Sequence, residues 1–537
     1  MSKIIYLTTP LYYVNAAPHI GHSYTEIAAD ALARYHRLAG REVFLLTGTD
    51  EHGQKIAQAA AAAGKAPQEF VDGVVSQFEQ LWKTLNIRYD DFIRTTQPRH
   101  ITAVQAMLTK LHDEGKLKRA AYQGWYCTPD ETFWTETEVA PAPAGASSPL
   151  CPSCQRPLER TTEEGWYLEL RAAQPWLKAF VSDHPAFVRP EGRYNELKSL
   201  LDQPLPEYLC ITRPKQRVNW GIEVPFSREH VVYVWVDALF NYITAPGFVE
   251  APARFSRLWP ADLHVIGKDI LRHHALYWPI LLHALGFPDA WMPKMIFAHG
   301  WWKVGEQKMS KSLGNIVDPT VVVTQLLAGQ PFAADIYRYF LLREVPFGQD
   351  GAFSEDALFG RLNADLANDL GNLVNRTLSM IERYCQARIP RADSAGPGGA
   401  SPEDAPLQRA AVQLAGRLDT AMARVEFSAA LDAIMQVVSQ ANRYVEAAAP
   451  WKLAKEEGKR ARLHAVLYVL ADVVRIIAIA LEPFMPSVSS EIWQQLGCGS
   501  APRRLQDASQ WGLIDAGQVI GKAAVLFPKH QPAGPSS

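Results

Sequence analysis

Two short stretches carry residues suited to phosphate chemistry. Pro18–Ser23 reads PHIGHS, and Glu306–Asn315 reads EQKMSKSLGN. His19 and His22 can donate hydrogen bonds to phosphate oxygens as charge develops on them. Gly21 lets a ligand come close to the backbone, and the free amides of a helix start favour an anion. Lys308 and Lys311 flank Met309 and Ser310, with a second serine next in line. Two cations and two hydroxyls on a short loop suit a polyphosphate whose charge grows during transfer. Each stretch alone also fits something plainer, a helix start with two exposed histidines and a solvated Lys/Ser loop. Their order adds weight, because each follows a strand on the carboxyl edge of one α/β domain, where ligands bind.

A third group is built for a metal. Three of the six cysteines, Cys127, Cys151 and Cys154, cluster in WYCTPDETFWTETEVAPAPAGASSPLCPSCQRPLE. Cysteines this sparse do not make a secreted disulfide framework. Cys151-x-x-Cys154 is a good half-site for zinc, and Cys127-x-x-Asp130 can supply the other half, since three thiolates and a carboxylate make an acceptable tetrahedral set. No histidine lies between His112 and His184 to take a ligand place. A knuckle held by packing alone, with reduced thiols, is the alternative.

The elements that must hold these residues are legible as well. With 537 residues, 48% hydrophobic and 20% charged, the chain reads as an ordinary globular protein of two to four domains. A net charge of −2 does not exclude nucleic acid, because basic residues can be confined to one groove. Lys3–Thr9 and Glu42–Thr47 read as strands. Between them Tyr24, Ile27, Ala28, Ala31, Leu32, Tyr35 and Leu38 recur at helical spacing, with Gly40 as the C-cap. That βαβ unit predicts a parallel sheet. The pattern returns with a strand at Leu263–Ile266, a helix over Ile270–Leu285 and a strand at Met295–Ala298. Between the two halves, from about Leu117 to Arg228, lies an insertion with the cysteines. From Arg361 onward long amphipathic runs predict a helical bundle, with a flexible loop at 387–406 and disorder at KHQPAGPSS. LYVLADVVRIIAIALEPF carries Asp472 and Arg475 and reads as a buried helix, not a membrane span. MSKIIYLTTP has no secretory pattern, so a cytoplasmic protein is expected.

PHIGH followed by KMSKS resembles the signature pair of the class I aminoacyl-tRNA synthetases. TTPLYYVNAAPHIGHSYT, LLTGTDEHGQKI, YVWVDALFNYI, VIGKDILRHHALYWP, KMSKSLGN, DLGNLVNR and ANRYVEAAAPWKLAK are together similar to the methionyl-tRNA synthetase family, over roughly residues 3 to 528. The fold implied is a doubly wound, Rossmann-like parallel-sheet catalytic domain. It is split by an insertion with a zinc-knuckle-like element and followed by an all-α anticodon-binding domain. The expected boundaries are 1–116 and 229–360 for the catalytic halves, 117–228 for the insertion with its knuckle at about 125–160, 361–520 for the helical domain and 521–537 for the C-terminal segment and tail.

The resemblance implies activation of L-methionine by ATP to methionyl-adenylate, then transfer to the 3′-terminal adenosine of tRNA(Met). His19, Gly21, His22, Lys308 and Lys311 are the implied catalytic residues, with the histidines and lysines on the phosphates. Gly267 and Asp269 receive the adenosine and ribose. Asp50 takes the substrate ammonium and Leu11 contributes backbone. Tyr13, Trp235, Ala238, Leu239, Tyr242, Ile270 and His274 surround the thioether, whose sulfur is attracted to aromatic edges. Without the resemblance, Trp235, Ala238, Leu239 and Tyr242 are an ordinary helix face, and His274 a core histidine. Asn372, Arg376 and Trp451 are implied to read a CAU anticodon, Trp451 by stacking a base. The expected cofactors are Mg²⁺, brought with ATP, and one structural Zn²⁺ on Cys127, Asp130, Cys151 and Cys154. A monomer is expected, since the chain closes soon after the bundle. The alternatives are a sister class I synthetase, a catalytically silent RNA-binding paralogue and a nucleotidylyltransferase.

Overall fold

The structure is a computed structural model. It describes residues 3–128, 131–134, 139, 141–142, 148–152, 154–304, 307–308, 316–391 and 401–531, with only the backbone of Tyr122, Gln307 and Lys308. The chain divides into two compact units. Met1–Pro18, Val43–Trp82 and Arg88–Gly300 form the first, and His19–Glu42, Lys83–Ile87 and Trp301–Ser537 form the second.

The first unit is organised by a seven-stranded sheet. Its early strands are β1 (Ile5–Thr8), β2 (Tyr12–Tyr13), β3 (Val43–Asp50) and β4 (Asp91–Arg94). β3 pairs with β1, β2 and β4. β1 continues to Leu263–Gly267, then to Ile296–His299, then to Val188–Arg189, and every pairing is parallel. Leu45 and Leu46, neighbours on opposite faces of β3, are both fully buried, as a sheet covered on both faces requires. β3 and β4 approach so closely that a Cβ at Gly48 would lie 1.9 Å from the Ile93 carbonyl oxygen. The four strands expected from apolar patterning are present within a few residues. Asp91–Arg94 and Val188–Arg189 are too short and too charged for apolar patterning to show. The second of them comes from the insertion, which returns one strand to the parallel sheet.

The insertion also forms a four-stranded antiparallel sheet, ordered Thr132–Trp134, Leu117–Cys127, Glu159–Glu169, Tyr208–Cys210. The helix expected over Ile270–Leu285 is not continuous. It begins as a 3₁₀ turn at Lys268–Ile270, widens to a π-helix at His273–Tyr277 and becomes α-helical only at Trp278–Ala284. Pro279 has no N–H for the carbonyl four residues before it, and the wide turn lies immediately upstream.

The second unit opens with α1 (Ile20–Leu38), capped at Ala39, with Gly40 beyond it at φ +79°. Its core is helical. Phe427–Ala448 and Arg460–Leu481 are long α-helices, while the run expected as one helix from Arg361 starts as a π-helix at Leu362–Gly371 before Asn372–Cys385. Arg460–Leu481 is long and apolar enough to cross a membrane, but 89% of its apolar window is buried within the protein. Of the expected flexible loop, residues 392–400 lie outside the described residues, as do 532–537 of the tail. The tail's earlier part is ordered against the bundle, where the His530 ring stacks on Phe359 at 3.5 Å.

Candidate functional site

The PHIGHS histidines are set by helix capping. His19 is the N-cap of α1, and its Nδ1 accepts the Gly21 N–H at 3.1 Å. His22 reaches back, its Nδ1 accepting the His19 N–H at 3.1 Å. Both rings therefore use Nδ1 as an acceptor, so each neutral ring carries its proton on Nε2. The rings stack at 3.8 Å. Burial, then the neighbouring His19, pushes the His22 pKa well below the usual range, so the ring stays neutral. A Cβ at Gly21 would lie 2.9 Å from His19 Cε1, so the glycine makes room for the capping ring.

The structure describes both flanks of the lysine stretch. Lys308 ends a hairpin in which Lys303 pairs with Lys308. Val317, downstream of the loop, accepts the Ile20 N–H through its carbonyl at 3.1 Å. One flank of the loop thus meets the first residue of α1. Lys311 lies outside the described residues, and of Lys308 only the backbone is described.

The expected amino acid pocket gathers in the first unit. The β2–β3 register sets Tyr13 opposite Asp50. The helix Val234–Thr244 carries Trp235, Ala238, Leu239 and Tyr242. Leu239 and Tyr242 sit in the unit's hydrophobic core, and Leu11, Tyr13, Trp235 and Ile270 pack on it half-buried. His274 Nδ1 donates to the Ile270 carbonyl at 3.0 Å, so its Nε2 accepts the Tyr242 hydroxyl at 2.7 Å. Burial pushes the His274 pKa down to about 4, which keeps the ring neutral.

Asp50 is the unusual member. It is 6% exposed, and its Oδ1 has no hydrogen-bond partner among the described residues. Burial first, then the charges of Asp237 and Glu131, raises its pKa well above the carboxylate range. Two neighbouring carboxylates, Glu51 and Asp237, are paired with basic side chains, whereas Glu131 is only hydrogen-bonded. Glu51 takes Arg94 in a two-pronged ion pair at 2.6 and 2.9 Å, with Thr49 and Thr96 hydroxyls. Asp237 takes His52 at 2.7 Å and His100 at 2.8 Å. Burial works to raise Asp237, but the two histidines outweigh it and hold it below the usual range. The Asp237–His52 bond also ties the Trp235 helix to the turn after β3.

Sequence reasoning passed over His52, His100, Asp237 and Glu131. A signal existed for Asp237, an aspartate inside the otherwise apolar VWVDALFNY, and for His52, which lies in the quoted TGTDEHG. Nothing in the sequence pairs them, since 185 residues separate the two. The Trp235 ring stacks on His273 at 3.7 Å, a contact equally hidden.

Gly267 ends the strand Leu263–Gly267 and Asp269 lies in the 3₁₀ turn after it. A Cβ at Gly267 would stand 2.5 Å from Asp269 Oδ1, so a side chain there would displace the Asp269 carboxylate. Both belong to the first unit, while the histidines and lysines belong to the second.

The three cysteine sulfurs converge, all lying within 4.8 Å of one another. Cys127 and Cys154 Sγ are 3.5 Å apart, near the ~3.8 Å that two thiolates keep on a tetrahedral zinc ion. Cys151 and Cys154 are bent together by a tight turn in which Gln155 N–H bonds the Cys151 carbonyl at 2.9 Å and Gln155 takes φ +58°. Cys127, Cys151 and Leu158 form a small core of their own. The soft donor set and its convergence fit a metal ion. Asp130 lies outside the described residues.

The helical residues form a surface cluster in which Arg376 and Trp451 are half-buried. Arg376 stands over the Trp451 ring at 5.4 Å and pairs with Glu446 at 2.7 Å. Trp451 is presented by a short helix that starts at Pro450, after Ala449 ends the preceding helix in the left-handed region at φ 43°. Asn372 is exposed one turn before Arg376 on the same face.

The chain resembles known proteins over nearly its whole length. Residues 5–378 match the family described as tRNA synthetases class I (M), and residues 409–522 match the anticodon-binding domain of tRNA ligase. The methionine–tRNA ligase of Caldanaerobacter subterraneus is 45% identical, over 98% of this chain and 79% of the relative. That of Bacillus subtilis is 41% identical, over 98% and 78%. The solved Mycobacterium tuberculosis methionyl-tRNA synthetase in complex with methionyl-adenylate superimposes with a TM-score of 0.90 at 40% identity, covering 98% of this chain and 100% of that one.

Proposed function

The chain belongs to the class I tRNA synthetases of the methionine type, and from that premise we propose how its residues divide the work. The protein is a methionine–tRNA ligase. It activates methionine with ATP to methionyl-adenylate and charges tRNA with the methionyl group. The observation that carries the pocket assignment is Asp50, a buried carboxylate whose Oδ1 has no partner among the described residues, beside Glu51 and Asp237, which are both paired with basic side chains. An unpaired buried charge is costly, so the site favours a ligand that brings a cation. The ammonium of an amino acid does so. Beside it, Tyr13, Trp235, Ala238, Leu239, Tyr242, Ile270 and His274 receive the thioether, and Leu11 offers backbone.

Activation is an in-line displacement at the α-phosphate, which needs positioning and charge stabilisation more than covalent help. His19 and His22 donate from Nε2 to the phosphates. Lys311 and Lys308 neutralise pyrophosphate as it leaves, and Gly21 keeps the backbone approach open. Gly267 and Asp269 receive adenosine and ribose. Mg²⁺ arrives with ATP. Cys127, Cys151 and Cys154, with Asp130, hold one structural zinc, which a bound-metal ratio of one per chain, lost in Cys151→Ser, tests. Asn372, Arg376 and Trp451 read the CAU anticodon of tRNA(Met). The same reading places the protein in the cytoplasm as a monomer, and sedimentation at the mass of one chain is the expected result.

The decisive measurement is ATP–pyrophosphate exchange against the twenty amino acids, with wild type and Lys311→Ala. Exchange with methionine alone, reduced by about 10²-fold or more in the variant, is expected. Exchange with a different amino acid overturns the pocket assignment, and undiminished exchange in Lys311→Ala overturns the role of the loop.

A further inference from the structure

We infer that Glu131 is a positioning residue for methionine, carrying the geometry of the cysteine-bearing hairpin into the amino acid pocket through the hydroxyl of Tyr13. The inference rests on the reading of Tyr13 as a pocket residue. Glu131 lies in the turn between the strands Leu117–Cys127 and Thr132–Trp134, whose register pairs Cys127 with Thr132. Its backbone takes φ +48°, a left-handed conformation that non-glycine residues adopt only when held there. One restraint is visible: the Tyr233 hydroxyl donates to the Glu131 carbonyl.

The side chain points back into the first unit and is buried. Oε2 accepts the Tyr13 hydroxyl at 2.8 Å. Oε1 accepts the Lys55 N–H at 3.0 Å, in the first turn of α2 (Gln54–Ala62). Gly53, just before α2, lies between them at φ +107°, where a Cβ would stand 2.6 Å from Tyr13 Oη and 2.8 Å from Glu131 Oε2. The glycine of TGTDEHG is thus what allows tyrosine and glutamate to meet. Three segments converge on one carboxylate: β2, the turn from β3 into α2, and the hairpin that starts at Cys127. Tyr13 is the register partner of Asp50, so a shift of Glu131 is felt at the ammonium site.

What the site needs from Glu131 is reach. Tyr13 also has the His52 carbonyl as an acceptor at 3.0 Å. Glutamine can therefore accept from Lys55 N–H and donate its amide N–H to the Tyr13 oxygen, keeping every contact. Aspartate keeps the charge but is one methylene too short.

The test is steady-state ATP–pyrophosphate exchange on the full chain, with methionine Kd from tryptophan fluorescence. Glu131→Asp is expected to raise KM and Kd for methionine about fivefold, the scale of one lost buried hydrogen bond, with KM for ATP and kcat unchanged. Glu131→Gln is expected to restore wild-type KM to within about twofold. In a Tyr13→Phe background Glu131→Asp adds no further loss, as expected of residues acting through one contact. Unchanged methionine KM in Glu131→Asp, an equal loss in Glu131→Gln, an equal rise in KM for ATP, or additive effects with Tyr13→Phe each overturn the proposal. Wild type that fails to exchange with methionine overturns the pocket reading beneath it, which is a different result.

Discussion

Each unit buries a network of charges, and the two are finished differently. In the second unit Asp30 takes Arg34 at 2.7 Å and Arg338 at 2.7 Å. Arg338, fully buried, also donates to the carbonyls of Phe484, Leu85 and Pro483. In the first unit Glu51 and Asp237 are paired in the same thorough way, yet nearby Asp50 keeps an oxygen with no partner among the described residues. The network closed around Asp30 holds helices together, although neighbouring Asp335 also keeps one oxygen without a partner among the described residues; the open Asp50, on the reading proposed above, takes a ligand's cation. The exposed Arg376–Glu446 pair near Trp451 is a third kind, loose enough for a large partner to rearrange.

Breaking the closed network has the largest expected effect on folding. Asp30→Asn leaves two buried arginines without their carboxylate and is expected to cost about 3–5 kcal/mol, read by urea unfolding. A cost below about 1 kcal/mol would mean that the pair is solvated like a surface bridge.

Breaking the open network should do the reverse. Asp50→Asn is expected to lower kcat/KM for methionine by about 10²–10³-fold, the loss of a buried ion pair, and to raise the melting temperature at neutral pH. The sign follows from linkage. Asp50 is protonated to higher pH in the fold than in the unfolded chain, so the fold binds more protons, and its contribution to stability falls as pH rises from the usual carboxylate range through the folded pKa. The asparagine removes that dependence. A variant that melts lower would show Asp50 to be a structural residue.

The cluster around Trp451 should respond least, and in tRNA alone. Trp451→Ala is expected to weaken tRNA binding by roughly 1–3 kcal/mol, the value of one stacked base, with pyrophosphate exchange unchanged. Glu446→Gln, which removes only a surface pair, should shift stability by less than about 1 kcal/mol in thermal melts.

Much of this contrast could be anticipated residue by residue, but not its wiring. The strands of the early βαβ unit and the helices Phe427–Ala448 and Arg460–Leu481 announced themselves through apolar periodicity. Val188–Arg189 did not, since two residues carry no period. The helix expected over Ile270–Leu285 broke into three kinds of turn, because hydrophobic spacing reports which face is buried and not how Pro279 is accommodated. Asp50 could be named from TGTDEHG. That it keeps an open oxygen while Glu51 and Asp237 do not depends on Arg94, His52 and His100 reaching its neighbours.

The sequence by itself determined the chemistry on offer: two histidines with a glycine at a helix start, two lysines on a loop, three thiols in a cluster and a tryptophan after a proline. These are local, since helix capping, turn geometry and residue type act over a few positions. Only the tertiary structure decided which charges are satisfied. Asp237 meets His52 across 185 residues, and Glu131 meets Tyr13 across 118. Burial and hydrogen bonding of a charged group depend on what the rest of the chain brings to it, and no local pattern encodes that.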